Sequence, residues 1–266
     1  MAAILNREVI HGHKNGSVSS SQYLLVEEPL SIRIQDKPYS VIMRTPGDEI
    51  PHAAGFCLAE GIVDRRDDFS TINYCDEMDQ NVVDVVVKQS RYDEIPQILE
   101  RRGFISQTSC GVCGKEVVND LYQTIKPLTD KSQIDVGMAM NSIKKFPSYQ
   151  SVGRDTRSSH AAALYDSTFD LLSVSEDIGR HNAFDKAIGK LFLEQKLHEA
   201  SLIILSSRIS YELVQKAGRA RIPAILAISR PTSLAVELAE KLNIAVACLA
   251  RRGGLYIYCG EHRFEG

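Results

Sequence analysis

Residues 108–115 read TSCGVCGK, with Cys110 and Cys113 two residues apart and a glycine after each. Thiols at this spacing can bind a metal, switch as a disulfide, or carry sulfur. Ser109 is a fair helix cap and KEVVNDLY follows, so the pair opens a predicted helix whose first amides, with Lys115, favour the thiolate. Gly111 and Gly114 let the backbone approach a partner closely. A structural zinc site needs four ligands, and the chain has no second Cys-x-x-Cys and no His-x3-5-His, so a distant His or lone Cys would have to complete it. A thioredoxin-like motif would follow an N-terminal strand, whereas this pair lies mid-chain. Flanking glycines are a poor choice for thiols that merely pack. A cysteine that accepts sulfur as a persulfide fits as well, and spacing alone does not decide among these readings.

Other candidate residues concern anions. SEDIGRHNAFDKAIGKLF, residues 175–192, places Arg180, His181 and Lys186 around a predicted helix start that Asn182 can cap. Free amides and an arginine there suit a phosphate or pyrophosphate. The competing reading pairs this Arg and His with Glu176, Asp177 and Asp185. The predicted strand SLIILSS ends in Ser206, Ser207 and Arg208, and the predicted strand IAVACLA runs into Leu249, Ala250, Arg251, Arg252, Gly253 and Gly254. In open parallel sheets, ligands sit beyond the carboxyl ends of the strands. Basic strand ends on one edge therefore point to a nucleotide-like anion. His160, in SSHAAALYD, invites comparison with zinc deaminases, but Ala162 stands where their general acid/base glutamate belongs, and the cysteine pair comes before the histidine. Deamination lacks its proton shuttle, although a related scaffold remains open.

The elements that must position these groups are legible in outline. A chain of 266 residues, 44% hydrophobic and with net charge -3, is long enough to bury a sizeable core and exerts no global pull on nucleic acid or anionic membranes. Residues 1–21 lack the apolar core of a signal peptide and read as a flexible lead-in. The apolar runs are strand-length, too short for a membrane span. Six cysteines do not suggest a disulfide scaffold; Cys57, Cys75, Cys248 and Cys259 read as inert, partly buried thiols in a reducing cytoplasm. Residues 22–106 read as a small α+β unit: a hairpin across Gln-Asp-Lys-Pro, a helix begun near Asp48, Glu49 and Pro51 and ended by Gly61, a strand NVVDVVVK and a brief helix IPQILERRG. Residues 107–266 read as an α/β domain: KEVVNDLYQTI and DKSQIDVGMAMNSIKKF carry helical spacing, SVGRDTRSSH is a loop, and AAALYDSTFDLLSVSE gives two strands around a turn. Strand and helix then alternate, as expected of a mixed, largely parallel sheet flanked by helices.

Taken together, EEPLSIRI, AGFCLAEGIV, SCGVCG, SSHAAALY, EDIGRHNAFDKAIG, SSRISYELVQKA and RPTSLAVELAEKLNIAVACLARRGG closely resemble the FdhD family of formate dehydrogenase accessory sulfurtransferases, from about residue 22 onward. The resemblance implies a cytidine-deaminase-like α/β fold. It implies a cysteine desulfurase as sulfur donor and a persulfide on Cys110, with Cys113 resolving or shielding it. The sulfur acceptor would be the bis(molybdopterin guanine dinucleotide) molybdenum cofactor (Mo-bisMGD), with formate dehydrogenase as client and no resident catalytic metal. Residues Leu249 to Gly254 correspond to the family's cofactor-binding segment. Some members have Lys-Pro-Gly-Arg where this chain has Arg-Arg-Gly-Gly. A homodimer is what the resemblance suggests, with no nucleic acid and no membrane. The alternative from another class is a non-catalytic chaperone that binds the cofactor.

Overall fold

The computed structural model describes residues 2–75, 81–96 and 125–266. Cys110 and Cys113 lie outside the described residues, as do most of the expected helices IPQILERRG and KEVVNDLYQTI.

The first residues differ from the expected lead-in. β1 (Ile4–His13) and β2 (Gly16–Leu25) pair antiparallel along their whole length. Lys14 and Asn15 form the two-residue turn between them, and the polar residues around it obscure the hairpin pattern. β3 (Glu28–Ile34) and β4 (Lys37–Arg44) form the expected hairpin, with Gln35 and Asp36 at φ 50° and 61° as a two-residue hairpin turn demands. α1 (Glu49–Ala59) follows, with Pro51 in its first turn and Gly61 beyond its end at φ 78°. β5 (Phe69–Cys75), β6 (Val82–Val87) and the short α2 (Gln89–Tyr92) come next. The sheet order is β4-β3-β6-β5.

The remainder comprises β7 (Ile134–Asp135), α3 (Val136–Lys145), α4 (Ser151–Thr156), β8 (His160–Tyr165), β9 (Leu171–Asp177), α5 (Arg180–Leu193), β10 (Leu202–Leu205), α6 (Tyr211–Arg219), β11 (Ala224–Ala227), α7 (Ser233–Leu242), β12 (Ala245–Leu249), β13 (Leu255–Cys259) and β14 (Phe264–Glu265), which pairs with β7. α4 occupies the expected loop SVGRDTRSSH. Its first amides, Val152 N and Gly153 N, donate to Glu176 at 2.9 and 2.6 Å, so the cap comes from a distant strand and leaves no local signal.

The large sheet has the order β13-β12-β11-β10-β8-β9 and is mixed, but not largely parallel. Only β10–β11 and β11–β12 are parallel; the other three neighbouring pairs are antiparallel. The expected hairpin of β8 and β9 joins the same sheet and reverses one strand inside it. Alternate strand residues face two cores. Ala162, Leu164, Ile203, Leu205, Ile225 and Val246 pack with α5, α6 and α7, while Ala161, Ala163, Ile204, Leu226 and Ala247 pack with α3. The first core continues into the small sheet through Leu30, Ile32, Val83 and Val85.

α1 and α5 make that continuity by near contact of their backbones. A Cβ on Gly55 would lie 1.9 Å from the Asp185 carbonyl oxygen, and one on Gly189 would lie 1.8 Å from that of Pro51. Among the described residues, no helix is long and apolar enough to cross a membrane.

Candidate functional site

The strand directions decide where the predicted residues meet. β9, β10, β11 and β12 run the same way, and β8 and β13 run against them. The carboxyl ends of four strands therefore share an edge with the first residues of β8 and β13. That edge collects His160, Arg180, His181, Ser206, Arg208 and the turn Ala250 to Gly254. It also collects Arg230, after β11, which the sequence reading left out although the same strand-end logic reaches it. The starts of α5, α6 and α7 lie there too, so three helices turn their positive ends toward this edge.

Between β9 and β10, each followed by a helix, β8 brings His160 to the same edge as the starts of α5 and α6. Burial holds the His160 imidazole below its ordinary pKa, and the nearby charges of Arg180 and His181 add to this. His181 Nε2 lies 2.8 Å from Glu212 Oε2 and 3.4 Å from Ser210 Oγ, at the start of α6. The hydrogen bond with His181 holds the Glu212 carboxyl below its ordinary range. His181 thus pairs with an acid on the neighbouring helix and not with Glu176, Asp177 or Asp185. Arg180 keeps its Nε buried without a hydrogen-bond partner among the described residues.

Beneath this edge is a buried polar clasp. Asp177, fully buried, accepts from Thr45 N at 3.0 Å and Gly179 N at 2.9 Å, and its Oδ2 lies 2.7 Å from Lys186 Nζ. Lys186 also donates to the Thr45 carbonyl oxygen at 2.7 Å. Asn182 does not cap α5, whose N-cap is Gly179; its amide donates to Asp177 Oδ1 and the Met43 carbonyl oxygen, both at 2.8 Å. Deeper, Lys216 Nζ holds both oxygens of Asp185 at 2.8 and 2.7 Å. Asp177 and Asp185 are thereby engaged with lysines, and Glu176 with the amides of α4. Asn182 and Lys186 support the edge from below.

Ser206 is likewise occupied: its Oγ accepts from Ala161 N at 2.8 Å and ties β10 to β8. Arg208, Arg251 and Arg252 are exposed and free to meet a ligand. Leu249 ends β12, and Ala250 N donates to Gly254 O at 3.0 Å to close the turn. Gly253 and Gly254 sit at φ 89° and 83°, with open space where a side chain would project. Positive φ and an unobstructed backbone suit amides that approach a phosphate. Beside this turn, the Arg230 guanidinium lies 5.9 Å from the centre of the Tyr256 ring.

Basic residues also line a cleft of about 350 Å³ at the opposite ends of the helices, between Leu58, Phe192 and Arg219. There Arg219 donates to the carbonyl oxygens of Leu58 and Val63 at 3.1 and 3.2 Å, which caps the end of α1. Of the single cysteines, Cys57, Cys248 and Cys259 are buried as expected, and burial pushes the Cys259 thiol up to about 11. Cys75 departs from the expectation and is exposed, although its hydrogen bond to Asp84 Oδ2 at 3.5 Å raises its thiol pKa.

Fold and edge define a mixed α/β protein with a basic edge at the carboxyl ends of its central strands. The chain matches the FdhD/NarQ family over residues 25–265 and belongs to that family. It is 34% identical to the sulfur carrier protein FdhD of Streptomyces avermitilis, covering 99% of this chain and 96% of that one. It is 36% identical to the protein of the same name from Mycolicibacterium paratuberculosis, covering 99% of each. In fold it is similar to the crystal structure of a protein described as a formate dehydrogenase accessory protein, from Desulfotalea psychrophila. That match has a TM-score of 0.79 at 19% identity and covers 99% of this chain and 100% of that one.

Proposed function

We propose that this protein is a sulfur carrier that supplies the molybdenum cofactor of a formate dehydrogenase. The Cys110 thiolate attacks the outer sulfur of a persulfide on a cysteine desulfurase. The donor's sulfur–sulfur bond breaks, the donor leaves as a thiolate, and Cys110 holds the persulfide. Cys113 shields or resolves it, and the sulfur passes to Mo-bisMGD, the acceptor.

The observation that carries this reading is the convergence of Arg180, Arg208, Arg230, Arg251 and Arg252 on one sheet edge with the open glycines of the 250–254 turn. A pyrophosphate-bearing acceptor needs such an edge; a thiol-disulfide exchanger does not. The unpartnered Nε of Arg180 and the exposed guanidiniums provide donors for the phosphates. His160 and the amides of Gly253 and Gly254 complete the cradle, and Asn182 and Ser206 act only through the residues they hold. The names of the relatives support the carrier role, and we assign the sheet to a cytidine-deaminase-like scaffold without deaminase chemistry, since Ala162 cannot shuttle a proton. The absence of an apolar spanning helix among the described residues is consistent with work in the cytoplasm.

Incubation with a cysteine desulfurase and cysteine, followed by intact-mass measurement, tests the carrier step. A sulfur adduct is expected on the wild type and on Arg251→Ala, and none on Cys110→Ala. A wild type that stays unmodified beside an active desulfurase overturns the reading in favour of a non-catalytic chaperone.

A further inference from the structure

Two tyrosines of β13 stand on the same face of the large sheet, and the fold uses only one of them. β13 is the last strand of that sheet, so among the described residues no strand pairs with its outer edge. Leu255 and Tyr256 lie opposite Leu249 and Cys248. Leu255 packs with the α3 core, so Tyr256 and Tyr258 turn to the opposite face, the side of α7. Tyr258 is fixed there: it packs on the first core, and Cys248 Sγ donates to its hydroxyl at 3.7 Å. Tyr256 has neither support. Its side chain is 48% exposed, and its hydroxyl has no hydrogen bond among the described residues.

What Tyr256 does meet is charge. The Arg230 guanidinium, 5.9 Å from the ring centre, is within the range of a cation–π contact. Arg230 itself is exposed and makes no ion pair among the described residues. The tyrosine also stands two residues beyond Gly254, about 7 Å along the chain, at the open end of the turn that forms part of the proposed phosphate cradle. An aromatic face beside free cations is the combination that holds a nucleotide by its base: the base stacks on the ring while the phosphates stay with the basic groups. A ribose spans the interval between the two.

We propose that Tyr256, backed by Arg230, is the residue on which this protein stacks the base of its nucleotide-bearing ligand, so that the edge selects a purine nucleotide over a bare pyrophosphate. The inference rests on the reading of the basic edge as a phosphate cradle and adds to it a base subsite. Every base has a π-face, so stacking tolerates exchange of guanine for adenine, and the larger purine covers more of the ring than a pyrimidine does. Tyr256 therefore sets purine over pyrimidine and leaves the exocyclic groups unread.

Isothermal titration calorimetry of the full chain with GDP, CDP and inorganic pyrophosphate tests this. On the wild type, GDP is expected to bind at least about fivefold more tightly than pyrophosphate, with CDP between them. Tyr256→Ala should bind GDP at least about fivefold more weakly than the wild type does, with its affinity for pyrophosphate unchanged. Unchanged pyrophosphate binding also shows that the variant keeps its fold. Tyr256→Phe retains the ring and should bind GDP as the wild type does. Wild-type GDP affinity in Tyr256→Ala, or loss of pyrophosphate binding along with GDP binding in that variant, overturns the stacking role and leaves the cradle standing. A wild type that binds neither GDP nor pyrophosphate overturns the cradle itself, and the stacking role with it.

Discussion

His160 shows how single side chains tune the edge. Burial, then the charges of Arg180 and His181, favour its neutral form, so its folded pKa lies below the unfolded value of about 6.5. The stability tied to that shift is complete above the unfolded value and is lost as pH falls through the window below it. An anion bound at Arg180 offsets the positive neighbours and raises the His160 pKa. Pyrophosphate should therefore bind more tightly as pH falls, and a proton NMR titration of the imidazole should move upward when pyrophosphate is added. An unchanged titration would mean that anions bind away from this edge. The same environment explains what residue types alone concealed. Arginine and histidine at 180 and 181 were legible as a basic pair at a helix start, but the partner of His181, Glu212, lies on another helix and has no sequence signature. Asn182 looked like a cap because its type is right; it is drawn inside by Asp177 and the Met43 carbonyl oxygen.

Among the elements, α1 and α5 are the most exacting pair. Gly55 and Gly189 are needed because each faces the other helix's backbone at a separation that admits no side chain. Gly189→Ala should cost at least the upper end of the roughly 1–3 kcal/mol typical of overpacking, since a backbone carbonyl cannot swing away as a side chain does. Urea unfolding of the variant measures it. The elements from β8 to β12 were readable because β8, β10, β11 and β12 are buried on both faces and their helices are amphipathic. The direction of each strand was not, because hydrophobic pattern is the same either way. β8 therefore reversed a sheet expected to be largely parallel. α4 and the β1–β2 ribbon escaped for opposite reasons: one is capped by a residue far along the chain, and the other is built from polar, solvated residues. The cysteine pair was the plainest chemical signal in the sequence, and it lies outside the described residues.

At the scale of the whole molecule, the charge balance of -3 means that the proposed anion recognition would rest on the local field of one sheet edge. Among the described residues, one continuous core runs from the small sheet through α1 and α5 to the large sheet. Denaturant unfolding is thus expected to show one transition, with far-ultraviolet circular dichroism and tyrosine fluorescence coinciding; two separated transitions would contradict a shared core. The Asp177–Lys186–Thr45 clasp carries this a step further. It fastens the floor of the basic edge to the end of β4, which belongs to the other sheet. On the proposed function, cargo that settled on Arg180 would press on a joint between the two halves of the chain, and the grip of the protein on its ligand would be a property of the small sheet as much as of the large one.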